Sequence, residues 1–401
     1  MARDPLPALD TNYDEIVAIR RDIHAHPELA FKESRTAAVV EKALRSWNIK
    51  VHAGLGKTGV VGILRKGNSK RAIMLRADMD ALPIQEENSF DHRSQHAQTM
   101  HACGHDGHTA ILLGAARELA QLESFDGTVY FLFQPAEENG NAGAKAMIND
   151  GLFEKFPVDA IYGMHNWPDL PVGKFGVVPG KMMAGAAKFK VTINGAGGHA
   201  ALPHIARDPV PPMIALAQAI QTVLTRDLRP LDCAVISITQ VAAGGAAHNI
   251  IPATASLGGS IRAFEDGVFD TIEGRIQELA ESIAKAHRCT AQVEITRSYP
   301  PLINSQLEFE AAVHSLRAIA GEPNVEVIEP VMGSEDFSYY LQKKPGCFVF
   351  IGNGDANGTG LGPCSLHNPN YDFNDLAIPV GVRYWCGLVE SLLPKSPQET
   401  A

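Results

Sequence analysis

The 401-residue sequence has no CxxC pair, no basic stripe, no internal repeat and no uninterrupted apolar run of the roughly 20 residues a membrane helix needs. Each absence removes a class. The six cysteines (Cys103, Cys233, Cys289, Cys347, Cys364 and Cys386) are scattered through a chain too long to need disulfide staples, which fits a reducing compartment. A formal charge of −10, with 45 acidic against 35 basic residues, argues against a polyanion partner such as nucleic acid. Met1 to Asp10 is polar and proline-rich, without a charged stretch leading into an apolar one, so no secretory leader is expected. A soluble, cytoplasmic protein with no membrane or nucleic-acid partner is the expectation. Its length exceeds what one hydrophobic core usually fills, so two domains are expected.

What is present alternates strand and helix. Ile16, Ile19 and Ile23 share a helical face in Asp14 to His24, and Ser34 is placed to cap a second helix through Val40, Leu44 and Trp47. Short apolar strands are expected at Val60 to Leu64, Ala72 to Arg76, Thr128 to Phe133 and Ala160 to Met164. Helices are expected through Ile111 to Leu122 and Ala144 to Ile148. This order predicts an α/β fold with a mainly parallel sheet covered by helices. Around Ala184 the character changes. Strand Ala187 to Ile193, helix Pro211 to Leu224, strands Ala234 to Val241 and Ala255 to Arg262, helix Phe269 to His287 and strand Ala291 to Thr296 form a β-α-β-β-α-β series, that of an inserted α+β ferredoxin-like domain. The first style then returns with helix Leu307 to Ala320, strand Cys347 to Gly352 and helix Val380 to Leu393. The expected division is 1–184 and 299–401 for one domain, with 185–298 inserted.

Chemistry concentrates in Met100-His101-Ala102-Cys103-Gly104-His105-Asp106-Gly107-His108. Thiolate and imidazole are the usual ligands of borderline-soft divalent ions. Cys103 and His105, two apart, face one side only if the segment is extended, so the helix is expected to start after them. Asp106 and His108 then start and brace that helix, and His101 has no assigned role. Asp78 and Asp80, the pair Glu137-Glu138, and His165 each fall just past a predicted strand, where open α/β sheets bind ligands. Of two adjacent glutamates, one can hold an ion while its neighbour takes a proton from water. With Cys103, His105 and Glu138, the histidines His165 and His367 make five ligands, a number suited to two close ions sharing one bridge. His24-Ala25-His26-Pro27-Glu28-Leu29 also looks site-like, although Pro27 alone explains a break there.

The motifs Arg20-Arg21-Asp22-Ile23-His24-Ala25-His26-Pro27-Glu28, Arg76-Ala77-Asp78-Met79-Asp80-Ala81-Leu82-Pro83, Cys103-Gly104-His105-Asp106-Gly107-His108 and Gln134-Pro135-Ala136-Glu137-Glu138 occur in order along the chain. Met164-His165, Gly197-Gly198-His199-Ala200, Asn249-Ile250-Ile251-Pro252, Gly333-Ser334-Glu335-Asp336-Phe337 and Leu366-His367 follow. Together they make the sequence resemble the amidohydrolase branch of the M20 metallopeptidases. The resemblance implies a zinc-exopeptidase-like main domain and two divalent ions (Zn, Mn, Co or Ni) held by Cys103, His105, Glu138, His165 and His367, with Cys103 as the bridge. It implies Glu137 as general base, Asp80 as support for the metal site, His199 at the substrate carbonyl, and Asn249 and Arg262 as substrate contacts. The expected reaction is hydrolysis of an N-acyl or N-aroyl amino acid, hippurate-like, by a homodimer or higher oligomer formed through the inserted domain. A dipeptidase or aminopeptidase on the same site, and a non-catalytic metal-stabilised binding protein, are the alternatives. Two departures stand out: His248 before Asn249, where a small or polar residue is more usual, and the glycine-rich loop Gly352 to Pro363.

Overall fold

A computed structural model describes residues 13–140, 142–354 and 364–395. The N-terminal reading at Met1 to Asp10, and residues 355–363 of the glycine-rich loop, lie outside the described residues. Two compact units are present, one formed by Met183–Leu302 and Pro330–Glu335 and the other by the rest of the described chain. No described helix is long and apolar enough to cross a membrane.

The larger unit is built on an eight-stranded sheet. Its order is Lys50–Leu55, Gly59–Lys66, Gly127–Gln134, Ala72–Asp78, Ala160–Pro171, Gly346–Gly354, Phe175–Val177 and Val325–Val327. The four central strands run parallel. Every residue of Ala72–Asp78 and of Gly346–Gly354 is buried, so both faces of the sheet's centre are covered, as continuous apolar strands require. The expectation of a mainly parallel sheet therefore holds at the centre and gives way at the edges. Lys50–Leu55 and Gly59–Lys66 are joined by a turn with positive φ at Gly56 and Lys57, and a connection that short allows only antiparallel pairing.

The helix His105–Gln121 is buried residue by residue from His105 to Arg117, and it packs against the helices Asp14–Ala25 and Ala377–Leu392. It starts at His105 itself, one residue earlier than the spacing argument expects. Ser34 does not cap its helix. The helix Ser34–Ser46 follows Glu33 with no side-chain cap from its own N-terminus. Instead the carboxylate of Glu28 reaches across, accepting the N–H groups of Arg35 (3.0 Å) and Thr36 (2.8 Å). A carboxylate suits the positive end of a helix better than a hydroxyl, so Glu28 has a structural task.

In the smaller unit, Gly185–Asn194, Val210–Arg226, Ala234–Ala243, Thr254–Ala263, Asp266–Ala286 and Thr290–Arg297 follow in the expected β-α-β-β-α-β order. The antiparallel sheet runs Ala234–Ala243, Thr254–Ala263, Gly185–Asn194, Thr290–Arg297, the ferredoxin-like arrangement. Phe189, Val191, Leu216, Ile220, Leu257, Ile261, Ile272 and Ile276 form its core. The edge strand Ala234–Ala243 is largely exposed. Beside it an apolar groove of about 380 Å³ is lined by Met213, Ile214, Ala217 and Val241 together with Gln218 and Gln221.

Candidate metal centre

Asp80, two residues beyond the strand Ala72–Asp78, organises the site. Its Oδ1 accepts the N–H of Glu137 and its Oδ2 that of Glu138, each at 3.0 Å. The ring Nδ1–H of His105 donates to the Asp80 carbonyl oxygen at 2.9 Å. The turn that presents the two glutamates is strained: Ala136 has φ 53, and its N–H is held by Glu33 Oε1 at 2.9 Å. Gly143 must be glycine, because a Cβ there would lie 1.7 Å from the Pro135 carbonyl oxygen. Beneath the turn, Arg76 joins Gln134 (2.8 Å), Asp78 (2.7 Å) and Asp336 (3.1 Å) in a buried network that ties the ends of two parallel strands together.

The five expected ligands converge. Potential ligand atoms of Cys103, His105 and His165 lie within 4.8 Å of one another, and so do those of Cys103, Glu138 and His367, with Cys103 common to both groups. The Nδ1–H of His165 donates to the Asn166 carbonyl oxygen (2.7 Å), which leaves the lone pair of Nε2 directed at Cys103 Sγ, 3.4 Å away. His105 Nε2 is buried with no hydrogen-bond partner among the described residues. His367, at φ 65 and with its side chain half exposed, is anchored by its N–H to the Ala102 carbonyl (2.7 Å) and brings Nε2 to 3.2 Å from Glu138 Oε1.

His165 departs from the positional rule. The strand Ala160–Pro171 continues past it, so it does not follow a strand end. Its neighbour Ala72–Asp78 pairs only as far as Arg76 opposite Gly163, and His165 therefore stands level with that strand's carboxyl end.

The electrostatics favour a cation. Burial works against charge on His105, but Asp78 and Asp80 outweigh it and hold the pKa at about 10. Burial pushes the Cys103 thiol well up, and the carboxylates of Glu138 and Glu137 push it further. Burial, with His108 beside it, keeps His165 neutral. A buried thiol, an orphaned imidazole nitrogen, an oriented second imidazole and surplus carboxylates fit a divalent ion of borderline softness.

Three expected residues belong to the smaller unit. His199 lies on Gly198–His199, paired with Ile250–Ile251, and the Ala200 N–H donates to the Asn249 carbonyl oxygen at 3.0 Å, so His199 and Asn249 are brought together. His199 Nδ1 accepts the Ala201 N–H at 3.0 Å, leaving the exposed ring with Nε2–H as a donor. Arg262 lies apart from that pair, half-buried on Thr254–Ala263, where it donates to the Ser334 hydroxyl.

Sequence reasoning left the layer behind the site largely unassigned. Asp106 accepts from Arg20 (3.2 Å) and from His24 Nδ1–H (2.9 Å), which makes the His24 motif a brace for the first turn after His105. His101 is buried, with neither ring nitrogen hydrogen-bonded to any of the described residues. Burial opposes charge on His24, yet Asp106 and Glu86 prevail and set its pKa at about 9. A histidine raised from 6.5 on folding contributes its full stabilisation below 6.5 and loses it as pH climbs through about 9. The contribution is about 3 kcal/mol at most. Urea unfolding across that window should therefore show stability falling in the parent and a flatter profile in His24→Gln. Identical profiles would refute the pairing.

The chain matches the family model for peptidase family M20/M25/M40 over residues 74–391. It is 39% identical over 375 residues to the hippurate hydrolase of Campylobacter jejuni, covering 93% of this chain and 95% of that one. It is 39% identical over 374 residues to the IAA-amino acid hydrolase ILR1-like 2 of Arabidopsis thaliana, covering 92% and 83%. The crystal structure of the Bacillus subtilis YXEP protein, described as a dinuclear metal binding peptidase, superposes with a TM-score of 0.82 at 33% identity, covering 95% of this chain and 98% of that one.

Proposed function

Because this chain belongs to peptidase family M20/M25/M40, in its amidohydrolase branch, we propose that it hydrolyses the amide bond of N-acyl or N-aroyl amino acids to a carboxylic acid and an amino acid. The observation that carries the reading is the Asp80 clamp, which fixes two consecutive glutamates beside a thiol and two imidazoles. Glu138 faces His367 and Cys103, while Glu137 Oε1 accepts the Asp336 N–H at 3.4 Å. That division gives one carboxylate to the metal and the other to the proton.

In this reading Cys103, His105, Glu138, His165 and His367 would hold two divalent ions, Zn, Mn, Co or Ni, with Cys103 common to both donor groups. When bound, such ions polarise a carbonyl and lower the pKa of water toward neutrality. Glu137 takes the proton of the attacking water and passes it to the leaving amine. His199 offers its Nε2–H to the carbonyl oxygen as charge develops there, and such donors commonly supply the largest single rate term. Asn249 and Arg262 contact the substrate, the guanidinium binding its free carboxylate.

The division proposed is residues 1–184 and 299–401 for catalysis and 185–298 for substrate closure and homodimerisation. The exposed edge strand Ala234–Ala243 and its apolar groove support the dimer, since unpaired edges and apolar patches of this kind are surfaces proteins cover. A cytoplasmic site of action fits the unpaired cysteines.

The test is a panel of acylated amino acids and free dipeptides sharing one scissile bond, run on protein reconstituted with each metal in turn. Turnover of the acylated set with little on free dipeptides is expected. The reverse pattern would make the protein a dipeptidase, and no hydrolysis by metal-replete protein would leave a binding protein.

A further inference from the structure

We propose that His108 is a positioning residue for His165, acting through Asn166; the proposal rests on the metal-ligand set given above. The tautomer of His165 depends on one acceptor, the carbonyl oxygen of Asn166. Asn166 is held in turn by His108, whose Nε2 lies 3.0 Å from the Asn166 backbone nitrogen and 2.7 Å from the carboxamide oxygen Oδ1; an Nε2–H donates to that oxygen, and only an unprotonated Nε2 accepts the backbone N–H. The other ring nitrogen, Nδ1–H, donates to Asp78 Oδ1 at 2.6 Å, and Asp78 is fixed by Arg76. A continuous line of hydrogen bonds thus runs from Arg76 through Asp78, His108 and Asn166 to His165.

Two further features converge on Asn166. The Tyr371 hydroxyl lies 2.6 Å from its carboxamide. Gly104, at φ +85 between the ligands Cys103 and His105, leaves the space they occupy: a Cβ there would stand 2.3 Å from Asn166 Oδ1 and 2.7 Å from the Tyr371 oxygen. The rings of His108 and His165 meet edge to face at 4.5 Å. His108, Asn166, Asp78 and Tyr371 are all buried, so solvent does not replace a lost partner.

A ligand role for His108 itself fits less well. Asp78, His105 and His108 do group within 4.8 Å. Both nitrogens of His108 already face partners, however, Nδ1 on Asp78 and Nε2 on Asn166. The bond to Asn166 is what connects the residue to the site. Loss of an outer partner of a metal-bound histidine typically costs about 10–100-fold in metal affinity.

Two substitutions separate the arms of the ring. His108→Gln places a carboxamide near Nε2, keeping a hydrogen-bonding partner for Asn166 while giving up the donor to Asp78. His108→Asn keeps the donor to Asp78 and gives up the partner of Asn166. Zinc affinity of the full chain is measured by chelator competition, the visible and near-ultraviolet bands of the cobalt-loaded protein report coordination, and melting temperatures check folding. His108→Asn is expected to lose about 10–100-fold in affinity for one zinc ion, while His108→Gln stays within about threefold of the parent. The cobalt visible bands shift in the Asn protein, and the thiolate charge-transfer band persists because Cys103 is untouched. Equal losses in the two variants, a larger loss in Gln, or no loss in either overturns the positioning role. If His108→Asn does not fold, Tyr371→Phe carries the test: a loss of about tenfold supports the role, and unchanged affinity overturns it. A parent that binds no divalent ion overturns the ligand set and this inference with it, whereas a parent that binds zinc beside indistinguishable variants overturns the inference alone.

Discussion

Glu137→Gln is expected to keep its full complement of metal and to lose about 10²–10⁴-fold in turnover, the usual contribution of a positioned general base. The substitution is nearly isosteric, and the backbone that presents the residue is held by other side chains. Its N–H is held by Asp80 Oδ1, the preceding Ala136 by Glu33, and the neighbouring Gly143 packs onto Pro135. The Asp336 N–H that Glu137 Oε1 accepts at 3.4 Å can be accepted equally by an amide oxygen. Gln cannot take a proton from water near neutral pH, so kcat should fall while KM changes little. Metal analysis and steady-state rates on one acylated amino acid check both halves. Near-parental turnover would remove Glu137 from the proposed mechanism. Loss of metal along with activity would mean that Glu137 is a ligand, which the grouping of His105, Glu137 and Glu138 within 4.8 Å makes a concrete alternative.

The chemistry at strand ends was legible in the sequence because it is local. Cys103 and His105 advertise themselves by spacing, and Glu137-Glu138 by following a strand that ends in Gln-Pro. The order of elements in the smaller unit was legible for the same reason, since each strand and helix carries its own period. His165 is reached by the same positional reading, but its setting differs. A strand's length is limited by its neighbours, and Ala160–Pro171 outruns Ala72–Asp78 to pair with Gly346–Gly354.

The supporting layer was hidden for a different reason. His108 to Asn166 spans 58 residues, Asn166 to Tyr371 spans 205, and Arg20 to Asp372 spans 352. Hydrogen bonds over such separations leave no pattern in any window of the chain. Glu28 shows the same limit at short range, because a helix capped by a residue seven positions upstream looks from sequence like one capped by its own serine. Short edge strands such as Lys50–Leu55, five of whose six residues are not buried, carry too little alternation to be seen.

Of the proposed ligands Cys103 should prove the least replaceable, since it alone is common to the two donor groups, Cys103-His105-His165 and Cys103-Glu138-His367. In the metal-free protein its thiol is held protonated by burial and by the nearby Glu138 and Glu137. Binding a cation must therefore release that proton, and affinity should rise with pH. Cys103→Ala removes a neutral, small, buried group from the metal-free protein, so its melting temperature without metal should stay close to the parent's. Added zinc should separate the two. At a concentration 100 times its dissociation constant a ligand stabilises the native state by about 2.7 kcal/mol, and the alanine protein should forfeit most of that gain. Activity should fall with both ions, below that of His367→Ala, which disturbs only one donor group. Cys103→Asp is the informative partner. A carboxylate restores an anionic donor at the proposed bridge without the thiolate, so it should regain zinc-dependent stabilisation that Cys103→Ser, neutral and weakly ligating, does not. Melting curves with and without zinc, and metal content after dialysis, measure these outcomes. An alanine variant that still binds two ions would refute the bridge. Stabilisation by zinc restored equally in the serine and aspartate variants would show that the thiol contributes shape and not charge.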